Sequence, residues 1–181
     1  MIEKWEKISG ERVVDSRWVK VDKDRVLLPD GQCVEDFYTV MISDAAAIVA
    51  LTPGMEVVLK KEYKYACREE LIEVPAGMFE PCEKDGLAVA KRELLEETGY
   101  TSDEWTYLGA TVESSSKLTN RMHIYLAQNC HKVAEQKLDA TEQLDVMVIP
   151  LQKAIDMIMT NEICCNSSAH GILKAARILG L

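Results

Sequence analysis

The sequence predicts an α+β fold, a mixed sheet between helices preceded by a small antiparallel β meander, on three observations. Residues 11–41 carry short β-branched or alternating runs broken by turn residues, the signature of strands rather than helices. Residues 45–51, Ala45-Ala46-Ala47-Ile48-Val49-Ala50-Leu51, are apolar throughout, as in a strand covered on both faces. Farther on, apolar residues recur at helical spacing in three separate segments. At 181 residues the chain suits one domain with an appended subdomain. The expected division is a meander over residues 1–41 and a main domain over residues 42–181.

In chain order, Arg12-Val13-Val14-Asp15-Ser16 and Trp18-Val19-Lys20-Val21 read as strands. Leu27-Leu28-Pro29-Asp30-Gly31 supplies a turn, and a strand resumes from Val34 to Met41. After the apolar strand, Thr52-Pro53-Gly54 turns the chain into a second strand from Glu56 to Tyr63, giving a hairpin. A helix is expected over the segment ending at Thr98, with Leu87, Ala88, Ala90, Leu94 and Leu95 on its apolar side. Strands follow from Trp105 to Val112 and from Arg121 to Ala127, joined by the polar loop Glu113-Ser114-Ser115-Ser116-Lys117-Leu118-Thr119-Asn120. The acidic loop Asp139-Ala140-Thr141-Glu142-Gln143-Leu144-Asp145 leads into a last strand, Val146-Met147-Val148-Ile149. Leu151, Ala154, Ile155, Ile158 and Met159 mark an amphipathic helix that Asn161-Glu162 ends, and a closing helix runs from Ser167 to Leu179.

Composition narrows the function classes. Apolar residues make up 48% and charged residues 28%, ordinary values for a soluble globular protein. The net charge is −9, and no long basic run exists. A bulk nucleic-acid partner, which needs lysines and arginines along the phosphates, is therefore not expected. No apolar run approaches the roughly 20 residues of a membrane span. The six cysteines form no Cys-x-x-Cys, which removes zinc-ribbon spacing. With no secretory leader at the first residues, reduced thiols and a cytoplasmic location are expected.

The chemistry concentrates in Ala76-Gly77-Met78-Phe79-Glu80-Pro81-Cys82-Glu83 and Arg92-Glu93-Leu94-Leu95-Glu96-Glu97-Thr98-Gly99-Tyr100. Each helical residue turns by about 100°, so Glu93, Glu96 and Glu97 share an arc of similar width. Carboxylates that close repel unless a cation lies between them. A hard divalent metal with oxygen ligands is the natural occupant.

This arrangement resembles the Nudix box, in which Gly77, Glu83, Arg92, Glu93, Leu94, Glu96, Glu97 and Gly99 take the family's places. One departure is visible: eight residues rather than seven separate Glu83 from Arg92, which leaves the role of Glu83 open. The resemblance implies the α/β/α Nudix sandwich and cleavage of a pyrophosphate bond on magnesium, with manganese as a substitute. It assigns Glu93 and Glu97 as principal metal ligands, with Glu96 sharing and the Ala76 carbonyl alongside. Arg92 holds the box loop and orients a glutamate, Gly77 permits a tight turn and close backbone approach, and Gly99 ends the helix.

Lys61-Glu62-Tyr63-Lys64-Tyr65 and Glu69-Glu70-Leu71-Ile72-Glu73-Val74-Pro75-Ala76-Gly77 are similar to the matching runs of ADP-ribose pyrophosphatases, with lysines in place of arginines. By that likeness Glu73 lies near the metals, while Glu70, Lys64 and Arg121 contact substrate. Glu142 is the candidate for the acid that assists the attacking water. The loop from Ser114 to Asn120 departs from the ADP-ribose pattern: it has three serines and ends in Asn120, closer to hydrolases of adenine dinucleotides and related ADP compounds. The expected substrate is ADP-ribose or a related ADP compound, giving AMP and a phosphorylated product. An adenine dinucleotide, a nucleotide sugar and a non-catalytic ADP-ribose-binding role remain as alternatives. The meander implies a homodimer.

Overall fold

A computed structural model describes residues 1–181, which fall into two compact units. The first comprises Met1–Ser43 together with Val112–Arg121, and the second Asp44–Thr111 with Met122–Leu181.

In the first unit β1 (Glu6–Asp15), β2 (Lys20–Leu27) and β3 (Cys33–Met41) form an antiparallel sheet in that order. β1 starts well before the expected Arg12, because cross-strand ion pairs carry its polar first half. There Lys7 Nζ meets Asp24 at 2.7 Å, and farther along the strand Arg12 is paired with Asp22. Gly31 turns the chain at φ 86°, a left-handed conformation that favours glycine, and its N–H donates to the Leu28 carbonyl at 3.0 Å. The serine segment expected simply to link two strands of the main domain belongs instead to this unit. Val40 N–H donates to the Lys117 carbonyl at 2.8 Å, and Thr119 N–H to the Val40 carbonyl at 3.2 Å.

The second unit contains β4 (Ala45–Leu51), β5 (Glu56–Lys64), β6 (Glu69–Glu73), β7 (Ala76–Met78), α1 (Gly86–Thr98), β8 (Tyr100–Thr101), β9 (Glu104–Thr111), β10 (Met122–Gln128), β11 (His131–Lys132), β12 (Leu144–Pro150), α2 (Leu151–Met159) and α3 (Asn166–Ile178). The main sheet runs β12-β5-β4-β10-β9, with β6 added on β5 and β7 on β4. β4 and β10 are parallel and the other pairs antiparallel, so the sheet is mixed, as expected. No sequence pattern marks β6, β7, β8 or β11; each is five residues or fewer and exists through its pairing partner.

β4 explains its own composition. Ala47, Val49 and Leu51 join the core with Ala154 of α2 and Ile172 of α3, while Ala46, Ile48 and Ala50 join a second core with Ala90 and Leu94 of α1. Side chains alternate across a strand, so one filled with apolar residues needs a helical layer on each face. Burying a side chain such as Leu94 contributes on the order of 1.5–3 kcal/mol. The same alternation places Lys60, two positions after Val58, on the α1 face of β5. No helix is long and apolar enough to cross a membrane.

Candidate active site

Helix α1 is fixed at both ends. The Asp85 carboxylate accepts from Leu87 N–H at 3.0 Å, and Gly99 closes the helix at φ 75° with its N–H on the Leu95 carbonyl at 2.8 Å. Its buried face differs from the expected one. Val89, Ala90, Glu93, Leu94, Glu97 and Thr98 are buried, whereas Ala88 and Leu95 are exposed. Two of the glutamates therefore lie on the inner side of the helix, where a carboxylate survives only beside a cation or a set of donors.

Arg92 supplies one such cation. Its Nε and Nη2 donate to the two oxygens of Glu83, both at 3.0 Å. Its Nη1 reaches Glu93 at 2.7 Å and Glu96 at 3.1 Å, and Nη2 also reaches the Met78 carbonyl at 3.4 Å. A planar fork suits this work better than an ammonium would. The hydrogen bond from Arg92 holds the Glu83 carboxyl below its ordinary range. The longer loop still leaves both Glu83 oxygens on the Arg92 fork. Glu83 N–H donates to the Glu80 carbonyl at 2.9 Å, and Glu80 N–H returns to the Glu83 carboxylate at 2.8 Å.

Burial pushes the Glu93 carboxyl up, with Arg92 opposing. A Cβ on Gly77 would fall on that carboxylate. Gly77 sits in β7 without a positive φ, so the expected tight-turn role is corrected: the glycine leaves room for the close approach of the Glu93 carboxylate, which a Cβ would displace.

Glu97 is 2% exposed. Its Oε2 accepts from Ala76 N–H at 2.9 Å, and its Oε1 is paired with the Lys60 ammonium. Burial pushes the Glu97 carboxyl up to about 7, against the opposing pull of Lys60 and the Ala76 N–H.

The remaining expected residues lie on several other elements. Glu73 on β6 meets Lys64 at 3.3 Å, and Lys64 also holds Glu62 at 2.5 Å. Burial pulls the Lys64 ammonium down, but these two carboxylates leave it raised. Glu70 pairs with Lys61 at 2.5 Å, and both line a cleft of about 270 Å³ with Tyr63, Gln143 and Asp145. The Glu142 carboxylate accepts from Asp139 N–H at 2.9 Å, and its charge helps to raise Glu93. Arg121 is exposed and belongs to the first unit.

Sequence reasoning missed Lys60 and Glu62. The available signal was a lysine following Val57-Val58-Leu59 at an inward strand position, where an ammonium requires an acidic partner.

The donors fit a hard divalent cation, although no three carboxylates converge into a preformed cage. The fit rests on the glycine cradle under Glu93 and on the Lys60 ammonium, a positive charge already lodged among the oxygens of Ala76, Glu97 and Glu62.

A glutamate-bearing helix held against a glycine cradle on a mixed sheet defines the Nudix class of hydrolases. The chain belongs to that family: the NUDIX domain matches residues 41–162, and the nucleoside diphosphate sugar hydrolase N-terminal domain matches residues 5–40. It is a Nudix pyrophosphohydrolase, a class that generally depends on divalent metal. The methanol dehydrogenase activator of Bacillus methanolicus is 31% identical over 86% of this chain and 84% of its own. The ADP-ribose pyrophosphatase of Bacillus subtilis (strain 168) is 27% identical over 91% of this chain and 89% of its own. A solved structure described as an ADP compounds hydrolase superposes with a TM-score of 0.84 at 20% identity, covering 99% of this chain and 96% of that one. That likeness bears out the predicted fold.

Proposed function

We propose that the protein hydrolyses the pyrophosphate bond of a nucleoside diphosphate joined to a second group, with ADP-ribose or a related ADP compound as substrate. Water adds across the anhydride, one phosphorus keeping the new oxygen and the other the bridging one, to give AMP and a phosphorylated product. The observation that carries this reading is the placement of Glu93 and Glu97 on the buried side of α1, against Gly77 and Ala76.

Bound magnesium would supply charge neutralisation and an activated water. Glu93, Glu97 and the Ala76 carbonyl would hold it, with Glu96 sharing. Arg92 keeps Glu83, Glu93 and Glu96 aimed as a unit. Glu142, whose charge reaches Glu93, would take the proton of the attacking water. The cleft at Lys61, Tyr63 and Glu70 is the candidate for the nucleotide, with Glu73 and Lys64 as further substrate contacts. The pyrophosphatase name of one relative and the nucleoside diphosphate sugar hydrolase domain over residues 5–40 support the substrate class. Retention of all three box glutamates favours cleavage over binding alone.

The test is a phosphatase-coupled panel with magnesium: ADP-ribose, NADH, diadenosine polyphosphates, UDP- and GDP-sugars, and nucleoside triphosphates. Turnover is expected on ADP-ribose or another ADP compound, and activity confined to triphosphates would overturn the substrate class. We further propose a cytoplasmic homodimer through the meander, whose β1 is exposed along its length with Ile8, Val13 and Val14 on its surface and exposed Trp5 just before it. Light scattering at twice the chain mass is the expected result.

A further inference from the structure

Lys60 is the only buried lysine of the molecule, and its surroundings are unusual for an ordinary ion pair. Its Nζ meets oxygens from three elements: the Glu97 carboxylate on α1, Glu62 on β5 at 3.3 Å and the Ala76 carbonyl on β7 at 3.5 Å. Two of these three are groups assigned above to the metal. The Ala76 N–H pins one oxygen of Glu97 at 2.9 Å, so the other is the one offered to a cation. Glu62 is itself held by Lys64 at 2.5 Å, and Lys64 leans on Glu73 at 3.3 Å. The ammonium therefore has carboxylates on two sides, one belonging to the metal-ligand set and one outside it.

We propose that Lys60 is a resident counter-cation, which occupies the Glu97 position in the metal-free protein and yields it by shifting onto Glu62 when a divalent ion binds. The inference rests on the metal-dependent reading above and adds a device that sets metal affinity. A buried carboxylate without a partner destabilises a fold strongly, so a metal-dependent site that folds before loading needs an internal cation. Lysine suits the role because its ammonium is a point charge on a flexible four-carbon stem, free to change acceptors. An arginine fork would lock both oxygens of Glu97. The divalent ion must displace the ammonium, and the exchange lowers its apparent affinity in the way that protons compete for metal ligands. Glu62 lessens that competition by giving the displaced charge a second partner.

The test is Mn²⁺ binding without substrate, by paramagnetic resonance of the free ion and by calorimetry, on the wild type, Lys60→Met and Glu62→Gln. Lys60→Met is expected to bind Mn²⁺ about tenfold more tightly, within the usual range of coupling between competing ligands. It should also show a lower melting temperature without metal and a larger rise on adding it. Glu62→Gln is expected to bind several-fold more weakly, since the ammonium has lost its second carboxylate. A Lys60→Met protein that binds equally or less tightly overturns the proposal and leaves Lys60 as a group that merely positions Glu97. Unchanged or tighter binding by Glu62→Gln overturns the hand-over, and this variant decides the matter if Lys60→Met does not fold. A wild-type chain that binds no Mn²⁺ would instead defeat the metal-dependent reading itself.

Discussion

Replacing Gly77 by alanine isolates the close approach on which the metal assignment depends. Gly77 has no positive φ, so alanine adopts the same backbone without strain. The added Cβ, however, would overlap the carboxyl carbon and both oxygens of Glu93. Ordinary carbon contacts lie near 3.5 Å, so the carboxylate must retreat by roughly an ångström or more. Two losses follow. The 2.7 Å bond from Arg92 to Glu93 is broken or lengthened, and a charge-assisted hydrogen bond of this kind contributes about 1.5–3 kcal/mol. A catalytic group displaced by about 1 Å costs on the order of 10²-fold in turnover. Far-UV circular dichroism and urea unfolding would report the first loss, and initial rates across a magnesium titration the second. Turnover within about twofold of wild type, at an unchanged magnesium requirement, would refute the cradle.

Glu97→Gln retains an acceptor for the Ala76 N–H but removes the charge, and should cut turnover by about 10²- to 10³-fold while circular dichroism stays native; unchanged turnover sinks the ligand assignment. The pH dependence follows from the Glu97 carboxyl, raised by burial from 4.5 to about 7. A raised carboxyl favours the folded state at low pH, and that contribution is lost as pH rises through about 7. The metal-free protein should therefore melt lower at pH 8 than at pH 6, whereas the melting gain on adding magnesium should be larger at pH 8, where no proton competes. A gain that shrinks with pH contradicts the placement of Glu97 at the metal. Cys130 is 1% exposed, and burial pushes its thiol up to about 11. It should resist a disulfide reagent until unfolding, while the exposed Cys67, Cys82 and Cys164 react at once; early labelling of Cys130 in a peptide map would count against its burial.

The parts of this fold that were legible in the sequence are those in which local pattern and tertiary environment agree. β4 is uniformly apolar because both of its faces are covered, and Gly99 stops α1 because the left-handed turn there favours glycine. Legibility fails where charge is buried. An amphipathic reading of α1 assigns Leu95 and Ala88 to the core and turns the glutamates outward, yet Glu93 and Glu97 are the buried ones. Polarity predicts exposure only for groups that water must satisfy, and here Arg92, Lys60 and the Ala76 N–H take the place of water. The spacing between Glu83 and Arg92 misleads for a related reason. Counting residues measures chain, whereas the Arg92 fork still holds both oxygens of Glu83 across the longer segment.

Lys60 is the hardest case, because its partner lies 37 residues away on an element of a different period. No helical or strand repeat connects the two. What the sequence does contain is a cost: an ammonium at an inward position of a buried strand is unstable without an anion facing it. The only helix packed on that face of β5 is the one that bears the box glutamates. Strand alternation, the layer order and the penalty for an unpaired buried charge together bring Lys60 to Glu97. Lys60 and Glu97 thus satisfy one another across two layers of the fold, each the counter-charge the other lacks within its own element.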